Sequence, residues 1–315
     1  MSEQFQPLVS IIIPVYNGAL YVREAIDSAL AQTYQNVEVL VINDGSCDDG
    51  KTEEIALSYG DKIRYFHKEN GGVSTALNLG IREMKGEYFS WLSHDDTYEP
   101  KKVERQVELL SHFQGEKALA LCDTGRMDKD SKRYGVGMVE KKLKERTLIS
   151  STEALTYLFR NGTLNGCSLL IPKTAFDECG TFDESLRYNQ DGYMWMKIFM
   201  GGYVLVYSAE KDAYMRVHSG QLTQRGIEIY HRDCEAMSEY LVPALIKISD
   251  KKNNLLYEYA LYNAKYNTPA VWKKCVREGK CLIGFFQKIG LWFTALYGAV
   301  RPLIRKIYLK VFRKI

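Results

Sequence analysis

The feature that most constrains this chain is a hydrophobic period that switches back and forth through its first hundred residues. Leu8–Ile13 (LVSIII) is a continuous apolar run bounded by Pro14, the pattern of a strand buried on both faces. After Asn17-Gly18, residues Val22, Ala25, Ile26, Ala29 and Leu30 recur at helical spacing. Val37–Ile42 (VEVLVI) reads as a second strand, followed by a short helix around Thr52–Tyr59 and a strand at Ile63–Phe66. Val73, Ala76, Leu77, Ile81 and Met84 form another helical face before a fourth strand, Glu87–Leu92. Such repetition with short links predicts an α/β fold, a Rossmann-like and mostly parallel sheet with helices on both faces. Ligands of these sheets sit beyond the carboxyl ends of the strands. That rule selects four loops, Pro14–Gly18, Asp44–Asp49, Asn70–Ser74 and Ser93–Thr97, all rich in Asn, Asp, Gly and Ser.

Further along, residues 126–150 are charged and Gly-bearing and read as a surface excursion. A helix at 152–160, a strand at Ser168–Ile171 and a helix after Asp191 follow. Residues 226–315 read as a mainly helical C-terminal region. A length of 315 residues suits about two domains, with the boundary expected at 225/226. With 46% hydrophobic and 26% charged residues, collagen-like, disordered and disulfide-scaffold chains are excluded. The seven cysteines are scattered without a CxxC pair, which suits reduced thiols in a cytoplasmic protein. The polar start MSEQFQP is followed by no cleavable signal. The longest late apolar stretch, Leu291–Val300, falls short of the about 20 residues a spanning helix needs.

Four local patterns carry candidate chemistry. Gly45–Thr52 (GSCDDGKT) fits the phosphate-loop pattern GxxxxGK[ST] after a strand. It would make the chain an NTPase or kinase, but Asp48 and Asp49 would repel phosphate from inside the cradle. Asp95-Asp96, after the fourth strand, could ligate Mg²⁺ or Mn²⁺ through oxygen; the pair could equally cap the next helix. Asp191, in YNQDGYMWMK, is a general-base candidate or a helix cap. His218 is a ligand candidate or a structural hydrogen-bonder.

Together, the order and spacing of these segments resemble the family 2 inverting glycosyltransferases of GT-A fold. The resemblance rests on Val9–Asn17 (VSIIIPVYN), Val41–Ser46 (VINDGS), Glu69–Ser74 (ENGGVS) with Asn78–Ile81, Leu92–Asp96 (LSHDD), Cys179–Leu186, Gln190–Met196 and Arg216–Leu222. It covers about residues 8–222. It implies a GT-A catalytic domain over 1–225, with a nucleotide-binding half (1–105) and an acceptor half (106–225). Pro14, Tyr16 and Asn17 would line the base and ribose, with Gly72 also at the nucleotide. Asp44 would bond the base, and Asp95 would hold the ribose or assist the metal. Asp96 and His218 would hold Mn²⁺ or Mg²⁺ against the diphosphate, and Asp191 would be the general base. The implied reaction moves a hexose-type sugar from a UDP- or dTDP-sugar to a glycan or lipid-linked acceptor, with no nucleic-acid partner. A non-catalytic sugar-nucleotide-binding module is the alternative outside enzymology. Leu77, Ser93 and Gln190 depart from the family's frequent Arg, Asp and Glu.

The charge is unevenly distributed. Residues 251–315 carry 14 Lys and Arg against two acids, Glu258 and Glu278. Within 301–315, Leu303, Ile304, Ile307, Tyr308, Val311, Phe312 and Ile315 recur at helical spacing among six basic residues. Phe285, Phe286, Trp292, Phe293 and Tyr297 lie upstream. This basic amphipathic pattern over 285–315 is expected to meet an anionic membrane surface. The expected location is the cytoplasm, peripheral at the inner face of the cell membrane.

Overall fold

The computed structural model describes residues 5–134, 148–162, 164–218, 227–250 and 252–312, with side chains to 301. The chain divides into two compact units. The first is Met1–Ala154 with Thr163–Arg225; the second is Leu155–Gly162 with Gly226–Ile315.

The first unit is built on one sheet. Its leading elements are β1 (Val9–Val15), α1 (Val22–Leu30), β2 (Val37–Asp44), α2 (Lys51–Leu57), β3 (Arg64–Lys68), α3 (Val73–Glu83) and β4 (Tyr88–Trp91). They are followed by β5 (Thr97–Tyr98), α4 (Lys102–Ser111), β6 (Ala118–Met127), β7 (Arg133–Tyr134) and β8 (Leu148–Ile149). After α5 (Ser151–Asn161), which enters the second unit, come β9 (Leu169–Pro172), α6 (Lys173–Cys179), α7 (Gln190–Met200) and β10 (Val204–Arg216). The strand order is β3-β2-β1-β4-β9-β6-β10-β5, with β7 on β6 and β8 on β10. The pairs β1–β2, β1–β4, β2–β3 and β6–β10 are parallel. This is the GT-A architecture expected from the sequence.

All seven residues of β1 are buried, as a continuous apolar run on a central strand requires. Val9, Ile11, Ile13 and Val15 pack with Val22, Ala25, Ile26 and Ala29 of α1 and with Val103 and Val107 of α4. Ile12 faces the other side, against α3: a Cβ on Gly80 would lie 2.5 Å from Ile12 Cγ2. Contrary to expectation, Pro14 sits inside β1, in register with Ile42. The pairing with β4 ends at Ile12↔Trp91, and the Ile12 carbonyl accepts the Leu92 N–H at 3.0 Å. Pro14 points the same way as Ile12, beyond the last β4 pair, where no ladder donor is needed.

Residues 126–150 are less of an excursion than expected: β6 runs to Met127, β7 pairs with it, and β8 pairs with β10. Residues 135–147 lie outside the described residues.

The second unit contains α8 (Ile227–Ile248), α9 (Leu255–Lys265), α10 (Pro269–Glu278) and α11 (Phe285–Phe312). Asn254 caps α9 by accepting the Tyr257 N–H at 3.0 Å, and Pro269 opens α10. Arg160 clasps Glu258 through Nε and Nη2, at 3.1 and 2.5 Å, and Phe159 packs on Tyr259. No helix among the described residues is long and apolar enough to cross a membrane.

Lys102 is a buried cation in the first unit. Its Nζ donates to Ser90 Oγ at 2.8 Å and lies 4.1 Å from the centre of the Tyr98 ring. Burial pushes this ammonium down to about 8, against about 10.4 in an unfolded chain. Between those values the unfolded state binds more protons, so this group makes stability rise with pH from about 8 to about 10. Lys102→Met should therefore stabilise the protein by about 1–3 kcal/mol at pH 7, with the gain shrinking toward pH 10. Urea midpoints of both forms at the two pH values check this.

Candidate active site

The chain leaves β1 for β2 and β3 on one side and returns at β4 on the other. That reversal opens a crevice at the carboxyl ends of β1 and β4, where α/β sheets bind ligands. The selected loops are tied together there. The Asn17 N–H donates to Ser46 Oγ at 2.9 Å, and the Cys47 N–H returns to Asn17 Oδ1 at 2.8 Å. Asn17 holds a left-handed backbone (φ +50°) that brings these groups into reach. Tyr16 stands exposed at the lip, its hydroxyl 3.4 Å from Cys47 Sγ.

Asp44 is 3% exposed, and its carboxylate is occupied within the protein. It accepts the N–H groups of Gly71 (3.0 Å) and Gly72 (2.7 Å), and pairs with Lys68 Nζ at 2.5 Å. Asp44 thus braces the Asn70–Ser74 loop. Gly72 (φ +92°) opens α3, and a Cβ there would run into the Arg187 guanidinium. Arg187 Nη1 donates to the Gly71 carbonyl at 2.6 Å, so one loop is held by Asp44 and Arg187 together.

Gly45–Thr52 does not form a phosphate cradle. The Thr52 hydroxyl donates to Asp48 Oδ2 at 2.6 Å and accepts the Gly18 N–H at 2.9 Å. Asp48 Oδ1 accepts the Thr52 N–H at 3.3 Å, in the manner of a helix cap. Lys51 lies near Asp49, at 3.8 Å, on the surface. The Thr52 hydroxyl and the N–H groups of Cys47 and Thr52 are thus spent on α2 and on the neighbouring loop.

The adjacent acids Asp95 and Asp96 have opposite fates. Asp95 Oδ2 lies 3.0 Å from His218 Nε2, with both side chains partly accessible. Asp96 turns into the interior: Oδ1 accepts the Arg216 N–H at 2.9 Å and Oδ2 accepts from Cys167 Sγ at 3.3 Å. Burial, and then the Asp95 carboxylate, pushes the Asp96 carboxyl up to about 8. Asp96, expected at the metal, has its oxygens on internal donors here, and Asp95 is the acid beside His218. Donors on adjacent corners of an octahedral ion with about 2.1 Å bonds lie about 3 Å apart. The Asp95–His218 spacing fits that, and a carboxylate with an imidazole suits Mn²⁺ better than Mg²⁺. Among the described residues no group of three or more His, Cys, Asp or Glu gathers as a ready cage, so further ligands would have to come from substrate or water.

Arg216 is the residue whose importance the sequence concealed. Its side chain is fully buried. Nε donates to the Asp95 carbonyl at 2.8 Å, Nη1 to Ser131 Oγ at 2.9 Å, and Nη2 to Glu24 at 2.7 Å. The guanidinium also lies 4.2 Å from the centre of the Tyr21 ring. One side chain thus locks the turn carrying Asp95 and Asp96 to α1 and to the loop after β6.

Asp191 occupies the first turn of α7, where Oδ1 accepts its neighbour's N–H (Gly192) at 2.6 Å. The segment leading to it is stitched to the Asn70–Ser74 loop by Arg187 and to α3 by Asn78. The latter donates to the Phe182 carbonyl and to Glu184, each at 2.9 Å.

The sequence model of glycosyl transferase family 2 matches residues 10–176. The chain is 48% identical over 313 residues to an uncharacterized glycosyltransferase of Rickettsia prowazekii, covering 96% of each. It is 50% identical over 238 residues to another from Rickettsia bellii, a match covering 74% of this chain but only 33% of that longer protein. Among solved structures, Staphylococcus aureus TarS 1-349 in complex with UDP-GlcNAc superposes with a TM-score of 0.65 at 17% identity, over 92% of this chain and 79% of that one. The chain belongs to glycosyl transferase family 2 and is a glycosyltransferase.

If Arg216 is the lock described, Arg216→Met should cost about 2–4 kcal/mol by leaving buried acceptors without donors. Arg216→Lys should recover only a small part, because an ammonium cannot reproduce the fork. Urea denaturation of the three proteins measures both effects.

Proposed function

We propose that the protein transfers a hexose-type sugar, with inversion, from a nucleotide diphosphate donor to a hydroxyl of a glycan or lipid-linked acceptor. A UDP- or dTDP-sugar is the donor favoured. The observation carrying this reading is the Asp95–His218 pair, 3.0 Å apart at the carboxyl end of β4. UDP-GlcNAc in the complex of the TarS neighbour supports the choice of donor class.

In this reading Asp95 and His218 hold Mn²⁺, or less favourably Mg²⁺, while Asp96 and Arg216 fix the turn that presents Asp95. When bound, the ion neutralises charge gathering on the departing diphosphate. Tyr16 and Asn17 line the nucleotide from the β1 side. Pro14 shapes that wall, and Gly72 presents backbone close to the nucleotide. Asp191 takes the proton of the acceptor hydroxyl as that oxygen attacks the anomeric carbon. A single displacement of this kind inverts the anomeric centre and requires no covalent enzyme nucleophile. Holding the reactants in line supplies about 7–11 kcal/mol of the barrier reduction.

Asp191→Asn should lower the transfer rate by about 10²–10⁴-fold while leaving donor affinity nearly unchanged. Turnover and nucleotide titration, run side by side, check this; loss of both together would mark a structural role instead. Asp95→Asn should remove the extra rise in melting temperature that Mn²⁺ gives with a UDP-sugar over the UDP-sugar alone. An equal Mn²⁺ response in wild type and variant would overturn the metal assignment. The anomeric configuration of the product, read by proton NMR, tests inversion.

A further inference from the structure

The first half of α11 is amphipathic in an inverted sense. The buried side of α11 combines one large residue, Leu291, with small ones. Leu291 is fully buried, and a Cβ on Gly298 would meet the backbone oxygens of Ala264 and Lys265 at 2.6 and 2.8 Å. Gly290 lies against the Tyr257 hydroxyl, and the Thr294 hydroxyl folds back onto the Gly290 carbonyl at 2.9 Å. The large apolar side chains point the other way. Phe285, Phe286, Ile289, Trp292, Phe293, Leu296, Tyr297 and Val300 are all exposed, Phe286 at 85% and Trp292 at 57%. At about 100° per residue these eight fall within an arc of about 140°, along about 22 Å of helix. In sequence, Leu303, Ile304, Ile307 and Val311 continue the same period.

Charge decides what this stripe fits. Lys288 and Arg301, both exposed, flank it on either side. From residue 279 to the end the chain carries eight Lys and Arg and no acid. A second copy laid on the stripe would bring like charges together across a desolvated contact, which is unfavourable. An anionic bilayer meets both features, since its interior takes the aromatic stripe and its headgroups pair with the flanking cations. Trp292 and Tyr297 are of the types that concentrate at the headgroup level.

We propose that residues 285–301 of α11 dock in the surface of a membrane containing anionic lipid, aromatic stripe inward, with Lys288 and Arg301 at the headgroups. The stripe belongs to the second unit and none of its residues is assigned to sugar transfer, so its failure would leave that reading standing.

The test is co-sedimentation of the full chain with phosphatidylcholine vesicles, with or without phosphatidylglycerol. Binding to the anionic vesicles should be at least about tenfold tighter, and about 1 M salt, where charges are screened within about 3 Å, should reduce it. Two exposed-site variants, Phe286→Glu with Phe293→Glu, and Lys288→Glu with Arg301→Glu, should each lose at least about tenfold in partitioning. Trp292 emission should shift to the blue on binding, a shift absent in Trp292→Phe. Equal binding of wild type and both variants would overturn the proposal. So would failure of the wild type to sediment with either vesicle, or a wild-type dimer in sedimentation equilibrium that Phe286→Glu with Phe293→Glu splits while vesicles take up neither form.

Discussion

The active-site half of the molecule depends on the burial of β1 on both faces and its pairing on both edges. A strand in that position has its backbone groups satisfied by β2 and β4, so its side chains can be apolar without interruption. The chain must then depart from β1 in one direction and return to it from the other, which creates the crevice. Pro14 sets where the crevice begins. It sits one pleat beyond the last β4 pair, on the edge where a donor is no longer needed. From that point the ends of β1 and β4 diverge, and Tyr16, Asn17 and Asp95 follow directly.

The polar groups around the crevice divide into those that build it and those left facing it. Asp44 and Asp96 are both buried acids, and an unpartnered buried carboxylate is costly. Each is answered by backbone N–H groups: Gly71 and Gly72 for Asp44, and Arg216 for Asp96. These interactions pin loops, one on the β2 side and one on the β4 side. With the loops fixed, Asp95 is held partly accessible beside His218. Arg216 links the two tasks, because its backbone N–H holds Asp96 while its guanidinium holds the carbonyl of Asp95.

The central strands β1 and β2 were legible in the sequence because burial on both faces writes a nearly unbroken apolar run. The pairing of β6 with β10 was not, although it spans ten register positions with shifts near Ser208, Lys211 and Ala213. Asp123 and the run Glu210-Lys211-Asp212 interrupt the apolar pattern of those strands, and the bulges break the alternation that would have marked them. The acidic pair was legible as a pair. Which member turns inward was not, because adjacent residues in a turn differ in direction by a backbone angle that composition does not encode. Arg216 and Lys102 were hidden for a related reason: a charged residue reads as surface, and only the fold reveals the acceptors that permit its burial.

The same ambiguity recurs in the second unit, where the sequence pattern announced an amphipathic helix but could not say which side faced the protein. The usual assignment places large apolar residues against the body and small or polar ones outside. In α11 the close approach to α9 at Gly298 admits no side chain, so the contact selects small residues. The aromatic side chains are excluded from it by volume rather than by polarity. The apolar surface begins at Phe285, upstream of the 301–315 stretch where the tail's apolar and basic residues alternate most plainly; side chains after Arg301 lie outside the described residues. A helix can thus be seated through a glycine and one buried leucine on one side and leave its aromatic area available on the other, an arrangement that requires something to cover that area or the flanking cations to keep copies apart.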